Sequence, residues 1–270
     1  VLDGTGALAI LTRPQGRNET LAASLRDAGL AALALPALSV QAVAWPPARL
    51  PRPDQYDLLV FVSSTAARFY LDQLARAQSG PWPAHTLAAA VGRASAKPLF
   101  EAGTIPPSHI LHPGADALGQ DSEALWAVLG PRMPAIKRVL IVRGQSGREW
   151  LGQRLELAGA QVRRYAVYRR EPQAWTPEQA AALRNGLRTH RPAICLVTSS
   201  EGADAIHANV QRHQLGQLWE SVRFVTIHQR VASRLQFRFA TTAQQARAPR
   251  VQVCPPDDLA IFQAIQSAAS

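Results

Sequence analysis

The chain has 270 residues, 47% hydrophobic and 18% charged, and its 29 Lys and Arg against 19 Asp and Glu leave a net charge of +10. That length fits one large domain or two ordinary ones with ample material for a core. The composition excludes collagenous, disordered and disulfide-scaffolded chains. The longest apolar stretch, Leu30 to Trp45, is broken by Pro36, Ser39 and Gln41 and is too short for a membrane span.

The elements follow in order. Leu8-Ala9-Ile10-Leu11 predicts a short strand, and Leu21 and Leu25 mark the buried stripe of a helix that ends at Gly29. Leu35 to Val43 reads as extended. Leu58 to Val62 predicts a buried strand that ends at Ser63-Ser64 and passes into a helix, and Ala90-Val91-Gly92 leads into a helix carrying Ala96 and Leu99. Val139 to Val142 predicts a strand, Leu151 and Leu155 a helix ending at Gly159, and Tyr165 to Arg170 another extended segment. Ile194 to Val197 ends in Thr198-Ser199-Ser200, and Thr226-Ile227-His228 precedes a helix with Ala232 and Leu235.

These elements repeat. Arg13, Gln15, Glu19, Leu21, Leu25 and Gly29 recur 130 residues later as Arg143, Gln145, Glu149, Leu151, Leu155 and Gly159. An offset of 136 aligns Leu58–Ser64 with Ile194–Ser200, Ala90-Val91-Gly92 with Thr226-Ile227-His228, and Leu99 with Leu235. Continuous apolar strands alternating with amphipathic helices indicate parallel sheets covered on both faces. The chain is therefore expected to be two related α/β halves.

Ligands of open α/β sheets bind outside the carboxyl ends of the strands. There the sequence places Arg13, Ser63, Ser64, Gly92, Ser95, Arg143, Gly144, Thr198, Ser199, Ser200, His228 and Arg230. Hydroxyls and free N–H groups at helix starts suit anionic oxygens, although Ser and Thr also cap helices that bind nothing. Of the 29 basic residues 27 are Arg, whose planar forks pair with carboxylates and phosphates. The set reads as a polyanion site. Gly144-Gln145-Ser146-Gly147-Arg148 lacks the lysine of a P-loop and the glycine spacing of a dinucleotide fingerprint. The two cysteines, Cys195 and Cys254, have no metal or redox spacing and suggest a reduced, cytoplasmic compartment. No metal centre is expected among the 7 histidines.

Leu11-Thr12-Arg13-Pro14, Leu35-Pro36-Ala37-Leu38, Phe61-Val62-Ser63-Ser64 and Ala90-Val91-Gly92 with Ser95-Ala96 resemble the uroporphyrinogen-III synthase family. So do Val142-Arg143-Gly144 with Gly147-Arg148, Val167-Tyr168 and Thr198-Ser199-Ser200, in the family's order along nearly the whole chain. The resemblance implies an α/β fold of two flavodoxin-like parallel-sheet domains joined by a two-stranded linker. The domains would be 1–35 with 172–270, and 45–163, with 36–44 and 164–171 as linker strands and the active site in the cleft between domains.

The implied reaction converts hydroxymethylbilane to uroporphyrinogen III in tetrapyrrole biosynthesis, losing water and inverting the last pyrrole ring. No cofactor is implied. The implied protein is a monomer that binds neither nucleic acid nor membrane and makes transient contact with the preceding pathway enzyme. Tyr168 matches the family's tyrosine and is the implied general acid, or else only positions a substrate carboxylate. The Ser and Thr positions match substrate contacts, and Arg13, Arg143 and Arg148 match basic positions near the cleft. One departure stands out: His228 and Val231 occupy positions where many members have Gly followed by a small hydroxyl residue. That leaves a second expectation open, a non-catalytic homologue that binds tetrapyrroles as a sensor or scaffold. A nucleic-acid binder fits poorly, because the 17 aromatics are sparse and the arginines scattered.

Overall fold

A computed structural model describes residues 6–43, 45–78, 80–114, 117, 119, 121–240 and 249–270. The chain forms two compact units, residues 1–39 with 171–270, and residues 40–170.

The first unit carries the strands β1 (Leu8–Leu11), β2 (Ala31–Ala34), β9 (Ala193–Val197), β10 (Arg223–Thr226) and β11 (Val251–Val253). They lie side by side as β2-β1-β9-β10-β11, every neighbouring pair parallel. Alternate residues leave a strand on opposite faces, so each strand feeds two cores. Leu8, Ile10, Cys195, Val197 and Phe224 pack on one face under α6 (Pro177–Thr189), α7 (Ser200–Arg212), α8 (Gly216–Trp219) and α9 (Gln229–Phe239). Ala9, Leu11, Ile194, Leu196 and Val225 pack on the other under α1 (Glu19–Asp27) and α10 (Asp258–Ala269). This two-sided burial is why the strands read as unbroken apolar runs.

The second unit holds β4 (Leu58–Phe61), β5 (Leu87–Ala90), β6 (Ile110–Leu111), β7 (Arg138–Gly144) and most of β8 (Gln161–Pro172). Their order is β8-β7-β4-β5-β6, again parallel, with β3 (Leu38–Ala42) beyond β8. Leu59, Phe61, Leu140 and Val142 face α2 (Ser64–Arg76) and α3 (Arg93–Glu101), while Leu58, Val60, Val139 and Ile141 face α4 (Ser122–Leu129) and α5 (Trp150–Leu157). The unit boundaries, between Ser39 and Val40 and between Arg170 and Glu171, fall inside β3 and β8.

The offsets in the sequence now acquire a geometric meaning. With β1 matched to β7, β2 to β8, β9 to β4, β10 to β5 and β11 to β6, the two sheets have one strand order. Shifted by 136, α2 coincides end for end with α7 and β5 with β10. The two glycine stops are the same device. Gly29 and Gly159 have φ of +82° and +88°, where a side chain is strained. Around each, the next residue's N–H bonds back to Leu25 or Leu155, and the glycine's own N–H bonds to Arg26 or Glu156. That pair of bonds is a Schellman cap.

The copies differ at one strand end. β1 stops at Leu11, which leaves Arg13 in a turn, but β7 runs on through Arg143 and Gly144 with a bulge between them. The expectation that Arg143, like Arg13, lies beyond the end of its strand is therefore corrected. There β7 continues because the long β8 stays beside it.

Candidate active site

In the second unit, Ser63 follows β4 directly and caps α2, its Oγ accepting the Ala66 N–H at 3.1 Å. Ser64 opens that helix. Gly92 caps α3 without a side chain, and half-buried Ser95 sits in the first turn. Tyr168, on β8, is 3% exposed. Its ring stacks on Phe69 at 6.1 Å, and its hydroxyl lies 3.3 Å from Ser63 Oγ. Arg170 donates from Nη2 to the same hydroxyl at 3.2 Å and lays its guanidinium 5.5 Å over the ring. Gly144 backs the ring so closely that a Cβ there would meet Tyr168 Cζ at 2.8 Å.

Hydrogen-bond counting says what this group can do. A guanidinium only donates, and Ser63 Oγ already accepts from Ala66, so the two hydroxyls share one bond in either direction. Whichever way it runs, one hydroxyl proton of the pair stays available to a third group. The arrangement is a proton donor with a fixed positive charge behind it.

The arginines divide. Arg143 is nearly buried and spent inside the fold, with Nη1 on Glu149 and Nε on the Gly144 carbonyl. Glu149 also takes Arg164 at 2.7 Å, and the hydrogen bond from Arg143, aided by Arg164, holds its carboxyl below the usual range against the upward push of burial. Arg148 pairs with Glu123 through two bonds of 2.6 and 3.1 Å at the surface. Arg13, the counterpart of Arg143, is different. Its side chain is only 13% exposed and binds Asp258 through Nη1 at 2.6 Å, yet Nε and Nη2 are buried with no hydrogen-bond partner among the described residues. The reason is local: Glu19, the counterpart of Glu149, turns back to accept the Asn18 N–H.

In the first unit, Thr198 and Ser199 follow β9, and Ser199 caps α7 by accepting the Gly202 N–H at 3.0 Å. A groove of about 450 Å³ runs between α7 and α9, lined by Ser200, Arg230, Ser233, Arg234 and others. Asp204, also in its lining, is clamped by Arg234 at 2.8 Å and Arg238 at 2.5 Å. Burial pushes this carboxyl up, but the two guanidiniums hold it below the usual range. A second hollow of about 360 Å³, around Leu74, Trp82 and Thr104, contains none of the expected residues.

The departures at His228 and Val231 have structural explanations. Exposed His228 caps α9, its Nδ1 accepting the Arg230 N–H at 3.0 Å. The imidazole thus supplies what Gly92 leaves open in the other copy. Val231, the counterpart of Ser95, is buried in the first unit's core. Sequence reasoning missed Arg170, Phe69, Asp258 and Thr12, whose hydroxyl donates to the Leu196 carbonyl at 2.5 Å. For Arg170 a signal existed, because residues two apart on a strand share a face. Among the described residues no three or more His, Cys, Asp or Glu converge to hold a metal ion. None of the helices there is long and apolar enough to cross a membrane.

Two parallel α/β units of one strand order, with capped helix starts along their carboxyl edges, define the class of protein. The family model for uroporphyrinogen-III synthase HemD matches residues 19–252, and the chain belongs to that family. It is 33% identical over 164 residues to a uroporphyrinogen-III synthase of Salmonella typhimurium, covering 60% of this chain and 64% of the relative. The corresponding Escherichia coli protein is 33% identical over 171 residues, with the same coverage. The chain thus spans just under two thirds of these relatives' length. Its fold is similar to that of a uroporphyrinogen III synthase from Thermus thermophilus, with a TM-score of 0.57 at 16% identity over 97% of this chain and 98% of that one. A Helicobacter pylori uroporphyrinogen-III synthetase gives 0.60 at 16% identity over 97% and 99%. At that identity the likeness concerns the fold alone.

Proposed function

We propose that the protein cyclises hydroxymethylbilane to uroporphyrinogen III, with loss of water and inversion of the last ring, and without a cofactor. The observation that carries the reading is the Arg170–Tyr168–Ser63 chain, a pair of hydroxyls, one buried and one half-buried, with one proton to give, in a member of this family. Tyr168 is the catalytic residue. The Tyr168–Ser63 pair gives a proton to the terminal hydroxyl as its carbon–oxygen bond breaks. Closure with inversion forms a carbon–carbon bond from the terminal methylene to the substituted carbon of the last ring and breaks that carbon's bond to the bridge from the third ring. The bridge re-forms at the last ring's free carbon, which gives up one proton, so water is the net loss.

The substrate carries eight carboxylates, which gives the basic, hydroxyl-rich strand edges a purpose. Arg13 supports this best, because its Nε and Nη2, without a hydrogen-bond partner among the described residues, would be satisfied by a carboxylate. Burial of such donors without a partner costs about 1–3 kcal/mol each. Ser63, Ser64, Gly92, Ser95 and Gly144 in one unit, and Thr198, Ser199, Ser200, His228 and Arg230 in the other, complete the binding set. Arg143 and Arg148 contribute by holding Glu149 and Glu123, and so act through the shape of the edge. The bilane can close unaided to the wrong isomer, so catalysis rests mainly on holding a productive shape. General acid help adds roughly 10²–10⁴. The protein works as a cytoplasmic monomer that receives this unstable substrate from the enzyme that makes it.

The test is incubation of the purified protein with freshly made hydroxymethylbilane and chromatographic separation of the isomers. Isomer III is expected. Isomer I alone, as in a control without protein, would sink the reading.

A further inference from the structure

Arg170 is an exposed arginine that does not extend into solvent. It folds back along β8 onto Tyr168, two residues earlier on the same face, with Nη2 3.2 Å from the hydroxyl and the guanidinium 5.5 Å over the ring. Its neighbour Arg169, on the opposite face, reaches Gln41 instead at 2.9 Å. Adjacent arginines on one strand therefore have different work.

The internal repeat supplies a control. At the offset of 130, Tyr168 and Arg170 correspond to Leu38 and Val40. Leu38 is simply a core residue of its unit. The fold is thus built once without the pair, and the pair is not what the strand needs in order to form.

We infer that Arg170 is a positioning residue for the proposed reaction, acting through the Tyr168 hydroxyl. The inference rests on the functional reading above. A guanidinium has no acceptor, so its bond occupies a lone pair of the phenol oxygen and turns the phenol's own proton away from Arg170. That proton then lies toward Ser63 or toward an incoming hydroxyl. As the phenol gives up its proton, negative charge grows on the oxygen that Arg170 already contacts. A charge-assisted bond strengthens at that moment, and such an interaction, stronger in the transition state than before it, raises kcat more than it lowers KM.

The test uses the 270-residue chain. Arg170→Met keeps the stem and removes the donor, and Arg170→Lys restores a charge without the fork. Expected are a fall in kcat of at least about tenfold for Arg170→Met with KM changed less than about threefold, and partial recovery in Arg170→Lys. In a Tyr168→Phe background Arg170→Met should cause no further loss. The ¹³Cζ resonance of Tyr168, one of only 4 tyrosines, should shift in Arg170→Met, reporting the lost contact. A wild-type kcat in Arg170→Met, a loss confined to KM, full additivity with Tyr168→Phe, or an unmoved resonance would each overturn the inference alone. Wild-type protein yielding only isomer I would overturn the functional reading, and the inference with it.

Discussion

A Cβ on Gly144 would lie 2.8 Å from Tyr168 Cζ and 3.1 Å from its hydroxyl oxygen. The ring has little freedom to retreat, because Phe69 stacks on it and Arg170 lies over it. Gly144 is thus the surface against which the tyrosine is set. Gly144→Ala is expected to displace the ring, lowering stability by about 1–3 kcal/mol, as overpacking does. Turnover in the isomer assay should fall by roughly tenfold or more, since misplacement of a donor by about an ångström is costly. Thermal melting and kinetics on one preparation check both. A variant with wild-type Tm and turnover would show that the ring has room after all.

Tyr168→Phe removes one oxygen from a ring that otherwise keeps its contacts. The fold should persist, with a stability change near that of one hydrogen bond, about 1 kcal/mol. Turnover should fall, by up to roughly 10²–10⁴ if the hydroxyl is the acid. Stopped assays at saturating bilane measure it, and an unchanged rate would remove Tyr168 from the chemistry.

The fold was legible because the duplication is. Leu59 and Cys195 recur because a parallel sheet buried on both faces tolerates only apolar strands, and Leu21 and Leu151 recur as the buried stripes of the helices that cover it. The hydroxyls at Ser63 and Ser199 were legible too, as helix starts. The fate of the arginines was not. Arg13 and Arg143 are equivalent by offset, yet one keeps its Nε and Nη2 without a partner among the described residues and the other is tied to Glu149. What separates them is the direction in which Glu19 and Glu149 turn, a choice of side-chain torsion that a residue type does not encode. Val231 shows the same limit. As a letter it looks like a lost hydrogen bond, but it packs into the core.

His228 stands at the N-cap of α9 and fills that role with its ring nitrogen. Removing an N-cap side chain typically costs about 0.5–2 kcal/mol. His228→Ala should therefore lower thermal stability by that amount. His228→Asn, a favourable N-cap residue, should largely restore it. Melting curves for the two variants decide the matter, and equal stability of His228→Ala and wild type would leave the histidine free for a ligand.

Glu149 links Arg143 and Arg164, and the Arg143 hydrogen bond is the largest influence holding its carboxyl below the ordinary range. A carboxyl with a depressed folded-state pKa stabilises the native protein above the unfolded-state value. That contribution is lost as pH falls through the folded value. Glu149→Gln should therefore be less stable than wild type at about pH 7, by about 1 kcal/mol once the half-exposed setting of the carboxylate is allowed for. The gap should close as pH falls below the ordinary carboxylate range, because the wild-type group is then neutral as well. Denaturant unfolding of both proteins across that range measures it. A gap that persists undiminished in acid would mean that Glu149 acts by packing, and that Arg143 is held by the Gly144 carbonyl and its burial instead of by charge.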